Sequence, residues 1–394
     1  MRQIVPFLLV LFAIAAFLRV DFFFTILYLF FAVYMLSRLW TRRMVESLHV
    51  QRRFVDRAFF GDQVRVEVTV RNTGWLPVPW LEMNETLPVQ LAAPPFYRQV
   101  VSLGPHEHHK ARYTLSCRRR GYYSIGPLTM QAGDLLGIER RGVMQAEPNY
   151  LIVYPQVVPL QQLGLPTRSP LVALPAQAYL FEDPARVRGV RDYQPGDSPR
   201  RIHWTATASV GRLVVKQYQP AIARETLVCL DLDQEDYARG QRYTATELSI
   251  VVAASVASHI VLREGLPVGL ATQAWDPLLN DRAQFYLPPR SEQAHLMSLL
   301  EVLARVRVTS AAPLADLLRH ASVHLAWGAT LMVITGSESE ALLDTLAHLR
   351  RAGFAVSLVL VQPGRPSAEF KRRSDLLYVP TRCVWRQHDL ETWR

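Results

Sequence analysis

The densest set of chemically capable side chains lies between residues 188 and 218, which read RGVRDYQPGDSPRRIHWTATASVGRLVVKQY. Arg188, Arg191, Arg200, Arg201, His203 and Lys216 gather positive charge around the turn Pro195-Gly196-Asp197, with Asp192 and Asp197 as internal counter-charges. Glycine supplies the permissive backbone in such a turn, and aspartate bonds back to nearby amides. Two roles fit this chemistry. One is a polar hub that docks an anion or an acidic partner. The other is a hydrogen-bonded brace that packs Tyr193 and Trp204, because aromatic residues bury their bodies while satisfying their polar ends. His203 with Asp197 or Asp192 is an acid–base pair on paper only. Ser198 and Thr205 are close in sequence, but no Gly-x-Ser-x-Gly or papain-like nucleophile motif accompanies them. No catalytic residue is expected.

Three other clusters invite a chemical reading. Asp231, Asp233 and Glu235 follow an apolar run and offer oxygens to a hard cation, or simply cap the next turn. His106-Glu107-His108-His109 follows Gly104-Pro105 and reads as a solvated hairpin tip, since no separated Cys/His pair matches a zinc pattern. Arg118-Arg119-Arg120 reads as a solvated charge run at a strand end. Cys117, Cys229 and Cys383 are scattered and odd in number, which implies neither zinc nor a disulfide framework and suits a reducing compartment.

Composition narrows the partners. The 394 residues carry a net charge of +10, almost all from arginine. Anionic headgroups account for such an excess beside a membrane. None of the nucleic-acid motifs is present, so nucleic acid is not expected as a partner. No Walker A sequence occurs, so any ATP chemistry must come from elsewhere.

What positions these residues begins with a membrane anchor. Residues 4–18 and 22–36 are uncharged and are separated by Arg19-Val20-Asp21. A single helix over both would be about 50 Å long with two charges at its centre, too long for a hydrocarbon core of about 30 Å. Two helices joined at Arg19–Asp21 are predicted instead. Arg2 precedes the first span, and Arg38, Arg42, Arg43, Arg52 and Arg53 follow the second. The positive-inside rule then places both termini and the soluble body in the cytoplasm.

The strict alternation of residues 64–70 (VRVEVTV) predicts a half-buried strand. Further strands are expected at 96–103, 109–117, 122–125 and 128–132, together a β-sandwich. From residue 225 strands and helices alternate: strands at 226–232, 267–272, 330–335 and 354–361, helices at 244–263, 291–306 and 342–352. This pattern predicts a parallel sheet with helices on both faces.

The 188–218 block resembles the signature of the bacterial and archaeal domain of unknown function 58 (DUF58) family. Arg191, Tyr193, Pro195, Gly196, Asp197, Arg200 or Arg201, Ile202, His203 and Trp204 match its Arg-x-Tyr-x-Pro-Gly-Asp-x-x-Arg-x-Ile-His-Trp pattern, followed by Leu213, Val215 and Lys216. Residues 117–123 and 133–138 resemble the family's upstream motifs, and an apolar hairpin is typical of it. The resemblance implies a C-terminal von Willebrand factor A-like (Rossmann-like) domain. Such domains often hold a metal on an Asp-x-Ser-x-Ser loop, helped by a distant Thr and Asp. Here Asp231 is present, both serines are replaced, and Thr335-Gly336-Ser337 lacks the aspartate. Asp231, Asp233, Glu235 and Thr335 are therefore degenerate candidates, and neither metal nor cofactor is expected.

The expected order is a transmembrane hairpin (1–45), an all-β sandwich (46–160), a connecting segment with the signature (161–220) and the α/β domain (221–394). The resemblance further implies a non-enzymatic membrane protein that works with a MoxR-type AAA+ ATPase and with membrane proteins of the same operon. An adaptor or scaffold role follows. An envelope-associated hydrolase and a purely structural scaffold are the competing readings.

Overall fold

The computed structural model describes residues 10, 12, 21–91, 96–133, 140–160, 182–194, 197–220 and 225–391. The chain divides into two compact units: Met1–Gln156 with Glu301–Arg305, and Val157–Leu300 with Val306–Arg394.

The first unit contains helix α1 (Asp21–Glu46), which ends ten residues beyond the predicted second span. The extension has a packing cause. Ser37, Thr41 and Met44 are buried, and Met44 belongs to the core of the β-strands that follow. The other predicted span, residues 4–18, lies outside the described residues apart from Val10 and Phe12, as do Arg19 and Val20 of the predicted turn.

Between Ser47 and Gln156 the described elements are all strands: β1 (Leu48–Arg53), β2 (Arg57–Ala58), β3 (Gln63–Asn72), β4 (Val78–Thr86), β5 (Phe96–Leu103), β6 (His108–Ser116), β7 (Gly121–Ile125), β8 (Leu128–Gly133), β9 (Arg140–Ala146) and β10 (Asn149–Val153). They form three sheets, ordered β1-β3-β6, β2-β10-β7 and β5-β4-β8-β9. Period-2 patterning does the work in β3: Val64, Val66, Val68 and Val70 are buried and join Leu81, Leu115, Met130 and Leu151 in one core. On the opposite face Glu67 receives Arg112 at 2.9 Å and Lys110 at 3.4 Å across the β3–β6 pair.

A buried ion pair crosses this core. Arg52 of β1 meets Glu85 of β4 with both side chains almost fully excluded from solvent. The Tyr113 hydroxyl of β6 donates to Glu85 Oε2 at 2.6 Å. Burial, followed by the Glu85 charge, pushes the Tyr113 phenol well above its ordinary value.

The second unit contains β11 (Glu182–Asp192), α2 (Trp204–Val210), β12 (Val214–Pro220), β13 (Thr226–Leu230), α3 (Arg242–His259), β14 (Val268–Asp276), β15 (Asp281–Arg290), α4 (Gln293–Arg305, whose last five residues belong to the first unit), α5 (Leu314–Ser322), β16 (Thr330–Thr335), α6 (Glu340–Arg351), β17 (Ala355–Val361), α7 (Ala368–Leu376), β18 (Thr381–Val384) and α8 (Gln387–Glu391). A six-stranded sheet runs β15-β14-β13-β16-β17-β18, parallel except for the antiparallel edge strand β15. Every residue of β13 and β17 is buried, as expected where helices cover both faces. Leu227, Cys229, Leu331 and Val333 pack on α5 and α6 on one side. The long helix α3 packs against β13, β16 and β17 and lies outside that cluster.

Among the described residues two helices are long and apolar enough to cross a membrane, Phe24–Glu46 and Arg242–Glu264. They differ in what surrounds them. The second, α3 with its π-helical extension, is 83% buried, so its apolarity is that of a core helix. The first is only 11% buried and exposes Tyr28, Leu29, Phe30, Phe31, Leu36 and Leu39.

Candidate functional site

β11 and β12 form a two-stranded antiparallel ribbon that pairs Val190 with Lys216 and Asp192 with Val214. Between the strands run a turn at Asp197, a 3₁₀ turn (Pro199–Arg201) and the short helix α2. Backbone bonds sew this arm together: Tyr193 N to Leu213 O at 3.0 Å and His203 N to Val214 O at 2.9 Å.

Arg191 and Asp197 fix the turn. Arg191 Nη1 and Nη2 donate to Asp197 Oδ2 and Oδ1, each at 2.7 Å, and the Gln194 amide donates to Oδ2 at 2.9 Å. The guanidinium, helped by that amide, holds the Asp197 carboxyl below the usual carboxylate range. His203 is occupied in capping α2, its Nδ1 accepting from the Ala206 amide at 3.2 Å. Gly211, at φ 71°, ends the helix in the left-handed conformation that suits glycine.

The aromatic residues behave differently from a buried brace. Trp204 is 68% exposed, Tyr193 is half-buried, and Arg200 and Arg201 are exposed. The helix Trp204–Val210 is short, with only Thr, Ala and Ser between Trp204 and Val210, and none of it is buried. The buried residues nearby are Val214 and Val215. Lys216 is half-buried on β12. The Arg188 side chain, and Pro195 and Gly196, lie outside the described residues. The arm is thus braced internally by Arg191–Asp197 while it presents Trp204 and two arginines outward.

The degenerate metal candidates converge only in part. Asp231 and Thr335 meet at the carboxyl ends of the adjacent strands β13 and β16, with Thr335 Oγ1 donating to Asp231 Oδ2 at 2.6 Å. Asp231 Oδ1 accepts from the Asp233 amide at 2.9 Å. Asp233 instead caps a 3₁₀ turn, accepting from the Glu235 amide at 3.2 Å, and Glu235 is exposed. Burial, and then Asp236 nearby, push the Asp231 carboxyl up to about 8, outweighing the opposing bonds from Thr335 and Asp233. Among the described residues no three His, Cys, Asp or Glu side chains gather as a metal-binding group.

Tyr237 is the residue that sequence reasoning missed. Its hydroxyl donates to the Asp231 carbonyl at 2.8 Å and lies 3.0 Å from Ser249 Oγ. A Cβ on Gly336 would come within 2.4 Å of its ring, so glycine is what lets the ring lie there. Tyr237 and Gly336 thereby help to wall a cleft of about 440 Å³ at the carboxyl ends of β16, β17 and β18. Glu338 and Gln362 line it further. Burial raises the Glu338 carboxyl, but the bonds from Gln362 and Ser367 outweigh it and leave it below the usual range.

Residues 189–359 match the family model described as "Protein of unknown function DUF58". The "Uncharacterized protein YeaD" of Bacillus subtilis (strain 168) is 23% identical over 326 residues, which span 77% of this chain and 72% of that protein. Among solved structures the chain is similar to von Willebrand factor type A from Catenulispora acidiphila, 11% identical over 45% of this chain and 42% of that one, at a TM-score of 0.32. It is also similar to the SpRpn10 VWA domain, 13% identical over 41% of this chain and 88% of that one, at a TM-score of 0.30. Scores of this size bear no functional weight. The segment that matches the model described as Protein of unknown function DUF58 starts on the ribbon at Gly189 and ends on β17 at Val359.

Proposed function

We propose that this protein is a membrane-anchored, non-enzymatic adaptor whose 189–216 arm docks an acidic partner, the MoxR-type AAA+ ATPase that the family resemblance implies. The observation that carries the reading is Trp204, 68% exposed and flanked by the exposed Arg200 and Arg201. An exposed Trp beside arginines has the composition of a binding hot spot, whereas a structural brace would bury the indole. Arg191 and Asp197 pair with one another at 2.7 Å, which fixes the turn ahead of Trp204.

Anchoring rests on α1, whose exposed apolar face is followed by Arg38, Arg42 and Arg43. Under the positive-inside rule these arginines favour a cytoplasmic body. A two-span hairpin, with the β-strands arranged as a sandwich and the α/β unit of von Willebrand factor A-like type, completes the proposed architecture. Reporter fusions at the C-terminus test the orientation: a cytoplasmic reporter is expected to be active there, and an active periplasmic reporter would overturn both the topology and the ATPase partnership.

A further inference from the structure

The first unit contains an exposed aromatic residue that the adaptor reading does not use. Trp75 is 75% exposed, in a loop fastened to the end of α1. Trp40 Nε1 of the helix donates to Pro77 O at 3.4 Å, and the Thr73 amide donates to Ser47 O at 2.9 Å. The buried Asn72 knits the loop from within, its Nδ2 donating to the carbonyls of Leu76 and Gly104 at 2.8 and 2.9 Å. The turn after β5 is tied to the same place, since the His106 amide donates to Gly74 O at 3.2 Å. Loop and turn are therefore held at the level where α1 enters the β-strands.

That level coincides with the end of the helix's exposed apolar face. Leu36 and Leu39 are exposed, whereas Thr41 and Met44 are buried in protein. From Leu36 to Trp40 the helix rises only about 6 Å. Arg38, Arg42, Arg43 and Arg71 are exposed around this level, and so are His106 and His108. Two carboxylates share the region and are engaged locally: Glu46 with Arg42 at 3.4 Å, and Glu107 with the Gly104 amide at 2.6 Å. Tryptophan and arginine are the residues that favour the headgroup zone, where an indole is half-solvated and cations meet phosphate.

We propose that the Asn72–Pro77 loop and the turn at His106–His108 form a lipid-facing foot, with Trp75 inserted among anionic headgroups beside the point where α1 leaves the membrane. This rests on the anchoring role given to α1 above. The opposite end of β4 supplies a control: Val89 is 74% exposed and lies past Thr86, one strand length or roughly 30 Å from the loop.

The test uses spin labels on the full chain in nanodiscs of phosphatidylcholine and phosphatidylglycerol. Phe30→Cys, Trp75→Cys and Val89→Cys are made singly on a Cys383→Ser background, because Cys117 and Cys229 are buried. Collision with oxygen reports depth in lipid, and collision with a water-soluble nickel chelate reports exposure to water. The expected order is a deep label at Phe30, an interfacial one at Trp75 and an aqueous one at Val89. A deep Phe30 label with Trp75 as aqueous as Val89 overturns the foot and leaves the anchor standing. An aqueous Phe30 label overturns the anchor, and the foot falls with it.

Discussion

Arg191 grips both carboxylate oxygens of Asp197 across six residues of the same arm, at 2.7 Å each. A two-pronged pair of this kind sets the angle between guanidinium and carboxylate as well as their distance. Its consequence is local: the turn before α2 keeps its shape, and with it the outward presentation of Trp204.

Breaking this pair should therefore alter docking more than folding. Asp197→Asn is expected to leave the melting temperature of the body unchanged and to weaken capture of the partner. Because Arg191 holds the Asp197 carboxyl below its usual range, the wild-type arm should retain capture as pH falls through the ordinary carboxylate range. Thermal denaturation alongside capture at several pH values checks both statements.

The Arg52–Glu85 pair makes the opposite prediction. Both side chains are buried, so removing one partner strands the other in the core. Glu85→Ala should cost about 3–5 kcal/mol of stability in the β-rich unit. The double replacement Arg52→Met with Glu85→Leu should recover much of that loss, as read from urea midpoints.

Asp231 gives a pH dependence with a defined sign. Its folded-state value, about 8, lies above the ordinary carboxyl value, so the folded chain holds a proton that the unfolded chain releases. The stability contribution is full below the ordinary carboxyl range and is lost as pH rises to about 8, at most about 1.4 kcal/mol per pH unit. Asp231→Asn should flatten this slope and be more stable than wild type at pH 8. Chemical denaturation between pH 5 and pH 9 reads the outcome.

Gly336 permits the Tyr237 ring to lie over the Asp231 loop. A Cβ there would stand 2.4 Å from the ring and 2.8 Å from the Asp236 carbonyl. Gly336→Ala is expected to destabilise the α/β unit by about 1–3 kcal/mol, the usual cost of overpacking. Gly240→Ala, where a Cβ meets nothing within 4 Å, is the matched control.

The sequence is most legible where burial obeys one period. Residues 64–70 alternate, and β3 buries alternate side chains. The β13, β16 and β17 strands were readable as short apolar runs, because both of their faces are covered. Strand β15 was not readable: it is an edge strand with no buried residue and ends in Pro288-Pro289-Arg290. Helix α5 has only nine residues and was missed for its brevity. Helix α1 runs on past the uncharged stretch 22–36 to Glu46, close to the expected limit at residue 45, and the added turns bury Thr41 and Met44.

The site divides in the same way. The sequence offers Asp192 and Asp197 as counter-charges for six basic residues, and the fold pairs Asp197 with Arg191, six positions away, and Asp192 with Arg212. The exposure of Trp204 is a tertiary fact: an aromatic residue by type suggests burial, but α2 is too short and too polar to supply a pocket. The role of Tyr237 depends on the absence of a side chain at Gly336, roughly a hundred residues away in sequence, and no local pattern signals it.

The proposed adaptor role turns on docking of an ATPase through Trp204. A photo-crosslinking amino acid placed at Trp204 in the full-length protein, irradiated in native membranes and analysed by mass spectrometry, tests it most directly. The expected result is an adduct with a MoxR-type AAA+ ATPase that Arg201→Glu abolishes while the melting temperature stays unchanged. Efficient crosslinking at Trp204 that yields lipid, this chain itself or unrelated proteins, and no ATPase, would contradict it.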